Sequence, residues 1–165
     1  MVTYRRQTRI DASLEDVWAF HSTTDGLKAL TPAFMNLEIE SVAGPDGDSD
    51  PDVLEAGSRI KLSIRPFGVG PRLRMVSVIT ERRIGDGSRM FRDVMESGPF
   101  AEWVHTHKFF ADGNGTNLID HVTYQLSGGQ FGRAVSPLGR LGLELMFRRR
   151  HRTTKALLEQ NGVRN

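Results

Sequence analysis

The chain has 165 residues, a net charge of +2, 25% charged and 38% hydrophobic residues, and no cysteine. This is ordinary globular usage, which argues against a disordered chain, and no run reaches the roughly 18 apolar residues that a membrane helix needs. Disulfides, a thiol nucleophile and thiolate metal sites are excluded, and so small a positive charge gives no reason to expect a nucleic-acid partner.

A chain of this length is expected to form one domain over residues 1–165 and to bury roughly 70% of its unfolded surface. Met1 to Arg6 lacks the apolar core of a signal peptide, so a cytoplasmic location is expected, without stable membrane insertion. Val2 to Ile10 reads as a strand. Ser13, three residues before Asp16, marks the start of a short helix that buries Val17, Trp18 and Phe20. A second short helix is predicted over Thr24 to Leu30 and ends before Pro32. Leu37 to Val42 reads as a strand, and Gly44 to Asp52, dense in Gly, Asp and Pro, as a loop. Arg59 to Ile64, Arg72 to Glu81 and Arg89 to Met95 follow as strands. After Gly128-Gly129 the period changes: Ser136 is the expected N-cap of a long helix, Pro137 its first residue and Gly162 lies just beyond its end near Gln160.

The most informative stretch lies before that helix. Two alternating runs, Trp103-x-His105-x-His107-x-Phe109 and Leu118-x-Asp120-x-Val122-x-Tyr124, flank Asp112-Gly113-Asn114-Gly115. Alternation on both sides of a Gly/Asn turn predicts an antiparallel hairpin, and residues two apart share one sheet face. A loop of residues 112 to 115 sets Ala111 against Thr116, Phe109 against Leu118, His107 against Asp120 and Trp103 against Tyr124. One face of the hairpin then mixes aromatic and titratable groups.

The element order predicts an α+β domain in which a bent antiparallel sheet of about six or seven strands wraps a long C-terminal helix. The sequence resembles the START / Bet v 1-like superfamily, in particular its polyketide cyclase/dehydratase and coenzyme Q-binding-like branch. The resemblance rests on four segments: Thr8-x-Ile10-x-Ala12 with Val17-Trp18; Gly98-Pro99-Phe100 with Trp103, His105, His107 and Phe109; Gly115-Thr116 with Leu118, Asp120, Val122 and Tyr124; and Met146-Phe147 with Arg150-His151-Arg152. It implies a helix-grip fold and a cavity for a lipid, isoprenoid, polyketide or similar apolar molecule, and it leaves the reaction open, because members include carriers, sensors and enzymes.

On that basis the ligand is expected to meet Trp103, His105, His107, Phe109, Asp120, Val122 and Tyr124 on the sheet and Met146, Phe147 and Arg150 on the helix. Leu143, Met146, Phe147, Arg150, Thr154, Leu157 and Leu158 fall in a stripe about 120° wide. Arg150 is the charged member and needs a carboxylate, with Asp93, Glu96 and Asp120 as candidates, or a head in water. Arg148 to Arg152 otherwise reads as a solvated helix back. His107 with Asp120 is either a cross-strand structural pair or the acid/base pair of a cyclase or dehydratase, with Tyr124 donating to a substrate carbonyl. His105, His107 and Asp120 would also make three metal ligands. His21, His121 and His151 are scattered, however, and no metal or cofactor is expected. The sequence carries no signal for an oligomeric state.

Overall fold

The computed structural model describes residues 1–159, the side chains of 133 and 135 excepted. Its element order is β1 (Val2–Ile10), α1 (Leu14–His21), α2 (Thr24–Leu30), β2 (Glu38–Ala43), β3 (Arg59–Ile64), β4 (Leu73–Gly85), β5 (Ser88–Ser97), β6 (Phe100–Asp112), β7 (Gly115–Leu126), α3 (Gly129–Val135) and α4 (Gly139–Glu159). The seven strands form one antiparallel sheet in the order β1-β7-β6-β5-β4-β3-β2. β1 crosses over to pair with β7, so the N-terminal strand lies beside the last one, and Tyr4 of β1 and Val122 and Tyr124 of β7 cluster with Leu143 and Phe147 of α4. This is the helix-grip fold that the resemblance implies.

Local chemistry accounts for the elements that position the site. The Ser13 hydroxyl accepts the Asp16 amide at 3.1 Å and caps α1, while Thr23 does the same for α2 through the Gly26 amide at 3.0 Å. The β6–β7 hairpin closes through two residues, with Gly113 at φ 58°, a conformation that side chains with a Cβ resist. Pairing therefore extends to Asp112 with Gly115, tighter than the four-residue loop expected, and the register inward from Ala111–Thr116 is the predicted one. At the other end of the hairpin the register shifts between Phe100 and Glu102, next to Gly98-Pro99, where the chain turns from β5 into β6.

The start of the C-terminal helix departs from the expectation. Ser136 is not an N-cap: it follows α3, a short helix the sequence did not suggest, and its hydroxyl donates to the Gly132 carbonyl while accepting the Leu126 amide. Ser136 to Leu138 forms a single 3-10 turn, and α4 begins at Gly139. Glycines within and beside α3 hid it, because glycine is a poor helix former. The predicted end near Gln160 and Gly162 lies outside the described residues.

Three apolar clusters fill the concave face. Ile10, Val17, Trp18, Phe91, Phe109, Leu118 and Leu158 pack beneath α1, with the Trp18 and Phe109 rings edge to face at 5.6 Å. Val42, Leu54, Ile60, Leu62, Met75 and Ile79 fill the β2–β4 end. Tyr4, Val122, Tyr124, Leu143 and Phe147 join α4 to β1 and β7. Among the described residues no helix is long and apolar enough to cross a membrane.

Candidate functional site

Alternation along β6 puts Trp103, His105, His107 and Phe109 on the concave face, and the hairpin register sets Asp120 of β7 beside the two histidines. The neighbouring strand adds Asp93, paired with His105 across β5 and β6. α4 adds His151 from above. The result is a buried cluster of two carboxylates and three imidazoles that bridges two apolar clusters, since Phe91 stacks on His107 at 4.0 Å and Phe147 meets His105 edge to face at 5.1 Å.

Asp120 is the hub. Its Oδ1 lies 2.7 Å from His105 Nε2 and its Oδ2 lies 2.6 Å from His151 Nε2, so both imidazoles donate to it; His151 Nδ1 then accepts from the Thr8 hydroxyl at 2.8 Å. His107 Nδ1 approaches Asp120 Oδ1 to 2.9 Å but is poorly aligned and makes no hydrogen bond, whereas its Nε2 meets Asp93 Oδ2 at 3.3 Å. His105 and His107 stand 3.6 Å apart between ring centroids.

The electrostatics divide these groups. Burial, the largest influence, pushes the Asp120 carboxyl up, but the His107 charge and the imidazole hydrogen bonds outweigh it and hold the group well below the usual carboxylate range. Asp93 is lowered by the same competition, with His107 and His105 on the winning side. Burial also acts most strongly on His107 and disfavours its charge, yet Asp120 and Asp93 together raise its pKa. His105 goes the other way, lowered by burial and then by its charged neighbour His107. The two carboxylates thus favour the charged form of His107, while burial and His107 favour the neutral form of His105.

Arg150 is half-buried with its guanidinium carbon 5.6 Å from the Phe147 ring centre, and it feels both Asp120 and Asp93. The third carboxylate considered from the sequence, Glu96, pairs instead with Arg59.

His151 is the correction that matters most. Read as scattered, it is 2% exposed and lies on the buried side of α4 with Leu143, Phe147, Thr154 and Leu158, while Leu157, expected there, is 41% exposed. The spacing of 143, 147, 151, 154 and 158 was legible as a helical stripe; the surrounding arginines obscured it. His21 is also buried, donating to the Val17 carbonyl from Nδ1 at 2.8 Å and packing against Phe109. In the sequence Asp93 stands out only as a candidate partner for Arg150. Arg148, Arg149 and Arg152 are exposed, as expected of a helix back.

The predicted ligand set splits. Phe109 is fully buried beneath α1, away from the cluster under α4 that holds Val122, Tyr124 and Phe147, also fully packed. Tyr124 does not present a free hydroxyl, because it donates to the Ser136 carbonyl at 2.7 Å, so the role of a donor to a substrate carbonyl falls away. Trp103, Met146 and Arg150 remain half-buried on the concave side, together with Ser77, Asp93 and Met95. Two surface recesses, of about 290 Å³ between α2 and β2 and about 410 Å³ beside Arg83 and Lys108, include none of these residues.

Burial holds the His21 pKa down, at about 3, so the folded protein keeps that imidazole neutral while the unfolded chain protonates it near 6.5. The contribution is complete above that value and is lost as the pH falls towards 3. Between pH 7 and pH 4 the stability of wild type is expected to fall by on the order of 3 kcal/mol more than that of His21→Gln. Denaturant unfolding of both proteins at the two pH values measures this, and parallel losses would refute it.

Residues 1–159 match the sequence profile of the family described as polyketide cyclase / dehydrase and lipid transport. No curated protein matches the chain. Among solved structures, one of a protein from Thermus thermophilus is 20% identical, covering 94% of this chain and 99% of its own, with a TM-score of 0.63. Norcoclaurine synthase from Thalictrum flavum, a point mutant bound to a transition-state analogue, is 16% identical over 98% of this chain and 96% of its own, with a TM-score of 0.67. A START superfamily protein from Mycobacterium smegmatis is 12% identical over 96% and 97%, with a TM-score of 0.63. At these identities the likeness shows the fold.

Proposed function

Since the chain belongs to the polyketide cyclase / dehydrase and lipid transport family, we propose that it binds a small, mostly apolar molecule between the sheet and α4, with a polar head at the Asp93–His105–Arg150 end. The observation that carries this reading is the half-burial of Met95, Trp103 and Met146 around Asp93 on the concave face, where a packed core would enclose them. Three large side chains with adaptable or aromatic surface suit an apolar body, and a few convergent polar groups suit a head.

Native mass spectrometry of the full chain, followed by titration with an apolar fluorescent probe, tests it. Trp103→Ala is expected to weaken probe binding by about 10-fold or more while costing stability no more than the few kcal/mol of an aromatic truncation. Unchanged binding with a collapsed melting temperature would make Trp103 ordinary core and refute the reading.

A second reading, acid/base catalysis of the cyclase or dehydratase kind, is favoured by His107, an imidazole held between Asp93 and Asp120, which raise its pKa. Asp120 is 2% exposed and lies behind the imidazoles, so within this reading it orients His107 without touching substrate. A molecule released chemically altered by wild type and unaltered by His107→Ala would select catalysis over carriage.

A further inference from the structure

The two imidazoles on β6 turn different nitrogens to different carboxylates. His105 Nε2 and His107 Nδ1 face Asp120 Oδ1 at 2.7 and 2.9 Å; His105 Nδ1 and His107 Nε2 face Asp93 Oδ2 at 3.6 and 3.3 Å. Asp120 accepts the His105 Nε2 proton, which leaves a lone pair on Nδ1 directed at a carboxylate oxygen too distant for a hydrogen bond. Two lone pairs facing each other across 3.6 Å form a contact that a cation between them relieves.

We propose that Asp93, His105 and His107 bind one divalent transition-metal ion, through Asp93 Oδ2, His105 Nδ1 and His107 Nε2, the ion displacing the Nε2 proton of His107 to solvent. The spacing suits it. Ligands about 2.0–2.2 Å from a tetrahedral ion lie ~3.3–3.5 Å from one another, and the two carboxylate–imidazole distances are 3.3 and 3.6 Å. One ligand atom from each of the three residues lies within 4.8 Å of the others.

The surroundings support it further. A metal-bound histidine commonly gives its other ring nitrogen to a carboxylate, and Asp120 accepts from His105 Nε2 in this way and lies 2.9 Å from His107 Nδ1. Asp120 is itself held by His151, and His151 by Thr8, so the backing is rigid. Ser77 donates to the other Asp93 oxygen at 3.4 Å. The set differs from the one read in the sequence: Asp120 orients the histidines and Asp93 binds.

Two imidazoles and one carboxylate suit Zn²⁺, Fe²⁺ or Co²⁺, and three protein ligands leave a coordination position open. Asp93 is 16% exposed, against 7% and 5% for the histidines, so the open position faces the half-buried side with Met95, Trp103 and Met146. With both imidazoles neutral, as ligands must be, Asp93, Asp120 and Arg150 carry one net negative charge, and a divalent ion converts this to one net positive charge. The open position therefore favours an anionic oxygen: hydroxide, carboxylate or enolate. Metal binding itself does not rest on the ligand-binding reading and is measured without any organic molecule.

The test is a titration of the metal-free, full-length protein with Co²⁺, followed by visible absorption, with Zn²⁺ as competitor. One equivalent of Co²⁺ is expected to develop ligand-field bands that Zn²⁺ abolishes. Asp93→Asn and His107→Gln should each weaken binding by about 10-fold or more, and Asp120→Asn by roughly 10- to 100-fold with the stoichiometry kept. His121→Gln, on the other face of β7, should change nothing. A readout on wild type alone guards against misfolded variants: Zn²⁺ should shift the side-chain nitrogen resonances of His105 and His107. No bands, unmoved resonances, or bands that survive Asp93→Asn and vanish in His121→Gln would overturn the site.

Discussion

Replacing Asp120 with alanine is expected to lower the unfolding free energy by about 3–5 kcal/mol, the scale for removing one partner from a buried charge network. The carboxylate accepts from His105 and His151 and lies 2.9 Å from His107 Nδ1, with 2% of its surface exposed. Alanine leaves the two donors without an acceptor and leaves His107 with Asp93 alone. Asp120→Asn keeps the shape and one carbonyl oxygen, and its loss should be smaller, about 1–3 kcal/mol. Urea unfolding with unchanged m-values measures both. A loss under about 1 kcal/mol for Asp120→Ala would mean that water takes the place of the carboxylate and that the network contributes little.

Phe147→Ala should cost a similar amount for a different reason, about 3–5 kcal/mol from lost apolar burial and the cavity left behind. Phe147 is fully buried, 5.4 Å from the Tyr4 ring and 5.1 Å from His105. It is the residue through which α4 grips the sheet and the wall that separates the imidazoles from the Tyr4–Tyr124 cluster. Phe147→Leu, which keeps most of the volume, should recover over half of the loss. Equal losses for the two variants would mean that ring stacking outweighs filled volume. The readout is the melting temperature together with the denaturant midpoint.

These two variants separate what was legible from what was not. The partner of Asp120 within the hairpin was readable, because a short turn and strict alternation allow one register, and slipping it by one residue would turn Trp103 and His105 outward. The cap of α1 was readable for the same kind of reason: Ser13 acts within three residues of itself. Asp93 was harder to place. It lies on β5, and Ser97-Gly98-Pro99 carries no turn signature that fixes the register of β5 on β6, which is regular from Ser88–Phe110 to Val94–Val104.

The sequence by itself determined the order of the strands and of α1, α2 and the long C-terminal helix, the hairpin register and the mixture of aromatic and titratable side chains on one face of β6, since each depends on contacts between near neighbours in the chain. Only the tertiary structure decided that His151 comes down onto Asp120, that Asp93 closes the other side of the imidazoles, and that Tyr124 uses its hydroxyl on the Ser136 carbonyl. The reason is rotational. A helix with an apolar stripe flanked by His151 and Arg150 can bury either polar side chain, and the choice is set by how α4 packs against β1 and β7, with His151 lying 31 residues beyond Asp120 in the chain. There the buried carboxylate selects the imidazole, which can be neutral, and leaves Arg150, which cannot, half in water.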